Sequence, residues 1–214
     1  MDKIELQKLR EEYSLNRLDE ENVLKDPMAQ FNSWLQEALL AHLPEPNAMN
    51  IATVGKDGKP HSRVVLLKET NESGFVFYTN YASNKGGEIA ANPNVALCFL
   101  WLELERQVRI EGIVTKISKE ESLAYFKSRP HKSQVGALAS NQSQVVANRL
   151  TLEQEYEVLE NKYNEGEVPM PESWGGYLVK PTLIEFWQGR RSRLHDRISF
   201  QKESNNWIIN RLAP

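Results

Sequence analysis

The chain has 214 residues, 40% of them apolar and 26% charged, and a formal charge of −3. That is ordinary for a globular protein with a substantial core, and it gives no global attraction to nucleic acid. A single cysteine, Cys98, excludes an intramolecular disulfide framework and a cysteine-based zinc site. The longest uninterrupted apolar run, Val95 to Leu102, is too short to span a bilayer.

The opening stretch MDKIELQKLREEY is charged from its second residue and lacks an apolar core segment. It predicts no secretory signal and a cytoplasmic location away from membranes. Residues 1–20 read as a mobile N-terminal segment ahead of one domain over 21–214. Asp26 is a good N-cap and Pro27 suits the first helical position. Met28, Phe31, Leu35, Ala38 and Leu39 then recur at helical spacing, giving one apolar face to about Leu43 before Pro44 and Pro46. MNIATVG and HSRVVLLKE, joined through Lys56-Asp57-Gly58-Lys59, predict a β-hairpin. GFVFYTN predicts a strand, and Ser83 to Asn92 a short helix closed by Pro93. VALCFLWLEL and RQVRIEGIVTKIS predict two long strands; the second alternates Val108, Ile110, Gly112 and Val114 with polar residues. Ser118 with Glu121 forms a capping box for a helix that Pro130 stops. A further helix is expected from Thr151 to near Gly166. Tyr177 to Gln188, Leu194 to Lys202 and Trp207 to Leu212 read as the last strands. So many short strands on one core predict a β-rich α+β domain, a barrel with peripheral helices.

No GxGxxG, Walker loop, HExxH or GxSxG occurs, and His42, His61, His131 and His195 lack metal-ligand spacing, so no metal is expected. What remains is placed cations and hydroxyls. Arg63 and Lys68 bracket RVVLLK and, in a regular strand, point to opposite faces. On spacing alone they are more simply solvated strand ends. Tyr78-Thr79 at a strand end, with Ser83, Asn84 and Lys85 at a helix start, can cradle a phosphate or serve as ordinary capping. Tyr125 and Arg129 share a helical face, with Ser133 free to turn back beyond Pro130; together they can hold a phosphate monoester or be plain surface charge. Gln142-Ser143 lies in a polar loop. Trp174 reads as core.

The segment IEFWQGRRSRLHDR, residues 184–197, concentrates Arg190, Arg191, Arg193, Arg197 and His195 on an acidic background. Such a patch suits an anionic ligand. As a regular strand, Arg193, His195 and Arg197 would form one row, and Trp187, just before the cluster, is the aromatic expected to meet a ligand ring.

EFWQGRRSRLHDR, with its four-residue spacer between Gln188 and Arg193, resembles the C-terminal signature of the pyridoxine/pyridoxamine 5′-phosphate oxidase family; the resemblance leaves Arg190 and Arg191, which fall in that spacer, to face solvent. RVVLLK, FYTNYASNK, LERQVRIEG, YFKSRPHKSQ, SNQS, PMPESWGGY and RLAP resemble family segments in family order, so that the likeness runs from about Leu9 to Pro214. The resemblance implies an FMN-binding split barrel and a homodimer with FMN at the interface. The implied reaction oxidises pyridoxamine or pyridoxine 5′-phosphate to pyridoxal 5′-phosphate, passing hydride from substrate C4′ to flavin N5 and reducing O2 to hydrogen peroxide. It assigns FMN to Arg63, Val64, Lys68, Tyr78, Thr79, Lys85, Gln107, Gln142, Ser143, Trp187 and Arg197. It assigns the substrate to Arg10, Tyr13, Lys68, Tyr125, Arg129, Ser133, Arg193 and His195. Arg193, His195 and Arg197 are the expected catalytic residues. Asn84 stands where many members have an arginine. Two other readings compete: a non-catalytic carrier of FMN or pyridoxal phosphate, and a split-barrel flavin reductase with another substrate. The intact substrate set speaks against both.

Overall fold

The computed structural model describes residues 8, 9, 11–204 and 206–214; Arg10 lies outside the described residues. Its strands are β1 (Ala48–Val54), β2 (Pro60–Leu66), β3 (Glu69–Asn71), β4 (Gly74–Asn80), β5 (Asn94–Trp101), β6 (Arg106–Lys116), β7 (Trp174–Gln188), β8 (Asp196–Glu203) and β9 (Asn206–Arg211). Its helices are α1 (Pro27–Leu40), α2 (Asn84–Ala91), α3 (Lys119–Ser128), α4 (His131–Ala139) and α5 (Arg149–Lys162). The sheet order is β2-β1-β5-β6-β7-β4-β3, with β8 pairing both β7 and β9. Among the described residues no helix is long and apolar enough to cross a membrane. The chain divides into two compact units.

The first unit holds residues 1–49, 97–111 and 181–214. Asp26 caps α1 as expected, its Oδ1 accepting from the Met28 N–H at 3.0 Å. The buried stripe of α1 is Met28, Phe31, Trp34 and Ala38; Leu39, expected on it, is half exposed. Phe31 packs on Phe99 at 4.9 Å and Trp34 edge-on against Phe186 at 5.2 Å. The indole of Trp34 also lies under the buried Arg106 guanidinium, which donates to Gln188 Oε1 at 2.9 Å and Glu37 Oε2 at 2.7 Å. The expected strand VALCFLWLEL stops at Trp101: Leu102–Leu104 form a 3₁₀ turn, and Glu105 is left-handed at φ 53°. The backbone must turn there because β6 begins at Arg106. The terminal strands β7, β8 and β9 run antiparallel in sequence order.

The second unit holds residues 50–96 and 112–180. In it β4, nearly all buried, pairs antiparallel with the first half of β7, from Phe75↔Val179 to Asn80↔Trp174. Ser83 caps α2, and Gly86 is required behind that cap, because a Cβ there would stand 2.1 Å from the Tyr81 carbonyl oxygen. The Ser118–Glu121 capping box forms in full. Phe126, Val135, Val168 and Trp174 make a small core to which Tyr78, Tyr125 and Leu159 contribute. After Pro130, where the sequence pattern predicts no element, stands the helix α4, whose single buried residue, Val135, leaves too weak a periodicity to read. Helix α5 starts two residues before the expected Thr151, since Asn148 supplies the cap, its Oδ1 accepting from the Thr151 N–H.

Candidate active site

The second unit carries a cavity of about 780 Å³. Eleven residues singled out from the sequence line it: Arg63, Val64, Lys68, Tyr78, Thr79, Lys85, Tyr125, Arg129, Ser133, Gln142 and Ser143. Its lining contains four cations, Arg63, Lys68, Lys85 and Arg129, and no carboxylate. Two expectations change here. Arg63 and Lys68 line one cavity rather than opposite faces, because β2 ends at Leu66 and frees Lys68 from strand alternation. Arg129 is the C-cap of α3 with extended backbone, so it leaves the helical face that Tyr125 occupies, and Ser133 sits in the first turn of α4.

Lys85 is 8% exposed. Its ammonium donates to Gln142 Oε1 at 2.8 Å, Thr79 Oγ1 at 3.1 Å and Ser83 Oγ at 3.3 Å, all neutral oxygens. Burial lowers its pKa from the usual lysine value, and Arg63 adds to the effect against the pull of Glu88. Arg63 donates to Thr53 Oγ1 and, at 3.1 Å, to Glu88 Oε2. Burial raises the pKa of Glu88, but hydrogen bonds from Thr53 and Arg63 outweigh that and hold it below the ordinary carboxylate value. Glu88 also meets His61 Nδ1 at 2.7 Å.

Across the cavity Tyr125, Tyr78 and Trp174 stack, with Tyr78 3.9 Å from Tyr125 and 5.4 Å from Trp174. Burial pushes the Tyr78 hydroxyl up to about 12, so it stays protonated. The Arg129 guanidinium lies 5.0 Å over Trp174, and its Nη1 is buried with no hydrogen-bond partner. Buried donors are nearly always paired; this one, and the carboxylate-free ammonium of Lys85, are what an anionic ligand would complete. The donor set therefore fits a phosphorylated cofactor and a phosphorylated substrate.

The remaining described candidates, Tyr13, Gln107, Trp187, Arg193, His195 and Arg197, belong to the first unit. A second cavity, about 460 Å³, is lined by Tyr13, Arg190, Arg193 and His195 among others. Gln107 lies on β6, half-buried. The His195 ring lies tilted against Trp187 at 4.7 Å and against Tyr13 at 5.9 Å. The expected regular strand is broken: Ser192 and Arg193 are left-handed, with φ 56° and 60°, and β8 begins only at Asp196. Arg193 therefore does not continue the row of His195 and Arg197. Arg190, expected to face solvent, is tied down. Its Nη1 donates to the Asn16 carbonyl at 3.2 Å, its Nε is 3.6 Å from Asp196, and its backbone N–H donates to His195 Nδ1 at 3.1 Å. That last bond places the single proton of neutral His195 on Nε2. Burial, then the charge of Arg193, lowers the His195 pKa against the opposing pull of Asp196.

Sequence reasoning passed over Thr53 and Glu88, which hold Arg63, and Glu185, which holds Arg197. Trp174, read as core, is indeed part of the small core of the second unit and in addition lines the cavity; its place in PMPESWGGY is the signal that was available for the second role.

Residues 35–163 match the family model described as pyridoxamine 5′-phosphate oxidase, and residues 174–214 match one described as the pyridoxine 5′-phosphate oxidase C-terminal dimerisation region. A pyridoxine/pyridoxamine 5′-phosphate oxidase of Aliarcobacter butzleri is 53% identical, the alignment covering 99% of this chain and 100% of that one. One of Thermosynechococcus vestitus is 56% identical, with 96% and 97% covered. Among solved structures, PhzG from Burkholderia lata, crystallised with tetrahydrophenazine-1-carboxylic acid, superposes with a TM-score of 0.89 at 27% identity over 94% of this chain and 100% of its own. A pyridoxamine 5′-phosphate oxidase-related FMN-binding protein from Nostoc punctiforme gives 0.70 at 16% identity, over 86% and 97%. The fold is the split barrel that these two structures share.

Proposed function

The chain belongs to the pyridoxamine 5′-phosphate oxidase family, and we propose that it oxidises pyridoxamine and pyridoxine 5′-phosphate to pyridoxal 5′-phosphate with FMN as its cofactor and O2 as the final acceptor. The observation that carries this reading is the cavity with four cations and no carboxylate, in which a buried lysine and a buried, unpartnered arginine Nη1 await anions. Two phosphates must be held, and the cavity offers two grips. Lys85 and Arg63, with Thr79, Gln142 and Ser143, hold the cofactor phosphate beside the start of α2, where the positive end of the helix dipole favours negative charge. Arg129, Tyr125 and Ser133 hold the substrate phosphate.

When bound, FMN supplies the two-electron chemistry and the reaction with O2. The protein's own part is to bind, orient and shield. Val64, Lys68, Tyr78 and Gln107 complete the cofactor contacts, with Trp187 and Arg197. Arg193 and His195 flank the substrate ring, and Tyr13 packs edge-on to Trp187 at 5.7 Å as a cover. His195, with Nδ1 accepting from Arg190 and its proton on Nε2, offers the substrate a donor and is not poised as a strong base. Arg10 joins the substrate set on the family resemblance alone. The match to a dimerisation region makes the working form a homodimer, and we place FMN at its interface.

The deciding experiment is the absorbance spectrum of the purified protein before and after anaerobic addition of pyridoxamine 5′-phosphate. A flavin spectrum that bleaches is expected. A protein that cannot be reconstituted with FMN, or a flavin band that persists, overturns the reading.

A further inference from the structure

Among the described residues Glu185 is the only buried acidic side chain, 4% exposed. A carboxylate so placed is costly unless its oxygens are bonded to cations. Here Oε1 accepts from Arg197 Nε at 2.7 Å, and Oε2 accepts from Arg197 Nη2 at 3.1 Å and from Arg109 Nη1 at 3.0 Å. The grip on Arg197 is the two-pronged kind that fixes a guanidinium in plane as well as in place. The strand register explains its aim. Arg197 on β8 stands opposite Trp187 on β7, and Glu185 precedes Trp187 by two residues, so all three share one face of the sheet. Arg197 Nη1 is held as well, donating to the Ala213 carbonyl at 2.8 Å. A long side chain that would lose rotamer freedom on meeting a ligand has already lost it.

We propose that Glu185 is a positioning residue that presets the Arg197 guanidinium beside Trp187 for contact with FMN. The inference rests on the reading above that Arg197 faces the cofactor. The competing account is that Glu185 only balances charge within the sheet, in which case Arg109 matters as much as Arg197.

The test is the Kd for FMN, from quenching of flavin fluorescence, in the wild type, Glu185→Gln, Arg197→Lys and the double variant. Losing the ionic form of a hydrogen-bonded pair predicts roughly tenfold weaker binding for Glu185→Gln, and at least as much for Arg197→Lys. The double variant should bind no more weakly than Arg197→Lys alone, because Glu185 then has nothing left to position. Additive losses overturn the inference and leave Arg197 at the cofactor. Wild-type affinity in Arg197→Lys removes Arg197 from the cofactor and the inference with it. Glu185→Asp keeps the charge but draws the carboxylate back by one methylene; it should melt near the wild-type temperature and still bind FMN several-fold more weakly, and unchanged affinity overturns the proposal. Arg109→Gln should leave the FMN Kd within about twofold of wild type. A loss equal to that of Glu185→Gln assigns the effect to charge balance instead.

Discussion

The cavity of the second unit and the arginine-rich segment 184–197 of the first are both cationic, yet Lys85 and Arg129 of the one and Arg190 and Arg197 of the other are in opposite states. In the cavity, Lys85 is surrounded by neutral oxygens and Arg129 keeps a buried nitrogen without a partner. In the segment, Arg197 is bound two-pronged to Glu185, and Arg190 lies by Asp196. Unneutralised buried cations are primed for phosphate. Neutralised ones hold their own geometry and suit the orientation of uncharged rings. Counting arginines along the chain points to the segment as the anion site; the absence of a bonded carboxylate at Lys85 and Arg129, against its presence at Arg190 and Arg197, moves that role to the cavity.

The largest effect should come from Lys85. Replacing it with Met removes a charge-assisted contact to the cofactor phosphate, and the FMN Kd should rise roughly 100-fold. Removing a buried charge that no carboxylate neutralises should leave the FMN-free protein at least as stable. Fluorescence titration and a thermal melt check the pair, and a fall in both would move Lys85 to a structural role. Next comes Arg129→Met, expected to raise the KM for pyridoxamine 5′-phosphate by about 10- to 30-fold while leaving the FMN Kd unchanged. Equal loss of both would merge the two grips into one.

Smaller effects probe the segment. The folded pKa of His195 lies below its ordinary 6.5. Between those two values the unfolded chain binds the extra proton, so stability is full above about 6.5 and declines as pH falls toward the folded pKa. His195→Gln should flatten the dependence of Tm on pH in that window, and an unchanged slope assigns it to other groups. Smallest of all, Asn84→Arg adds a fifth cation to the cavity lining and should tighten FMN about two- to fivefold at low salt, an advantage that fades as salt screens it.

Much of this was legible in local sequence. Asp26-Pro27, Ser83 and the Ser118–Glu121 box each announce a helix start through short-range bonds, and each forms. The alternation in β6 depends only on the pleat, and it holds in the burial pattern. Helix α4 was not legible, since one buried valine and Gly136 leave too little periodicity. Nor was the break at Ser192 and Arg193, because neither residue type calls for left-handed backbone.

By itself the sequence determined the order of elements, the identities of the candidate residues and the family signature, because caps, pleats and motifs act over a few residues. The partners were decided only in the folded chain. Thr53 and Glu88 meet Arg63 from 10 and 25 residues away, Gln142 meets Lys85 from 57, and Glu185 grips Arg197 across two paired strands. Whether a cation is neutralised or left waiting for a ligand depends on which oxygens the fold brings within about 3 Å of it, and no spacing along the chain encodes that.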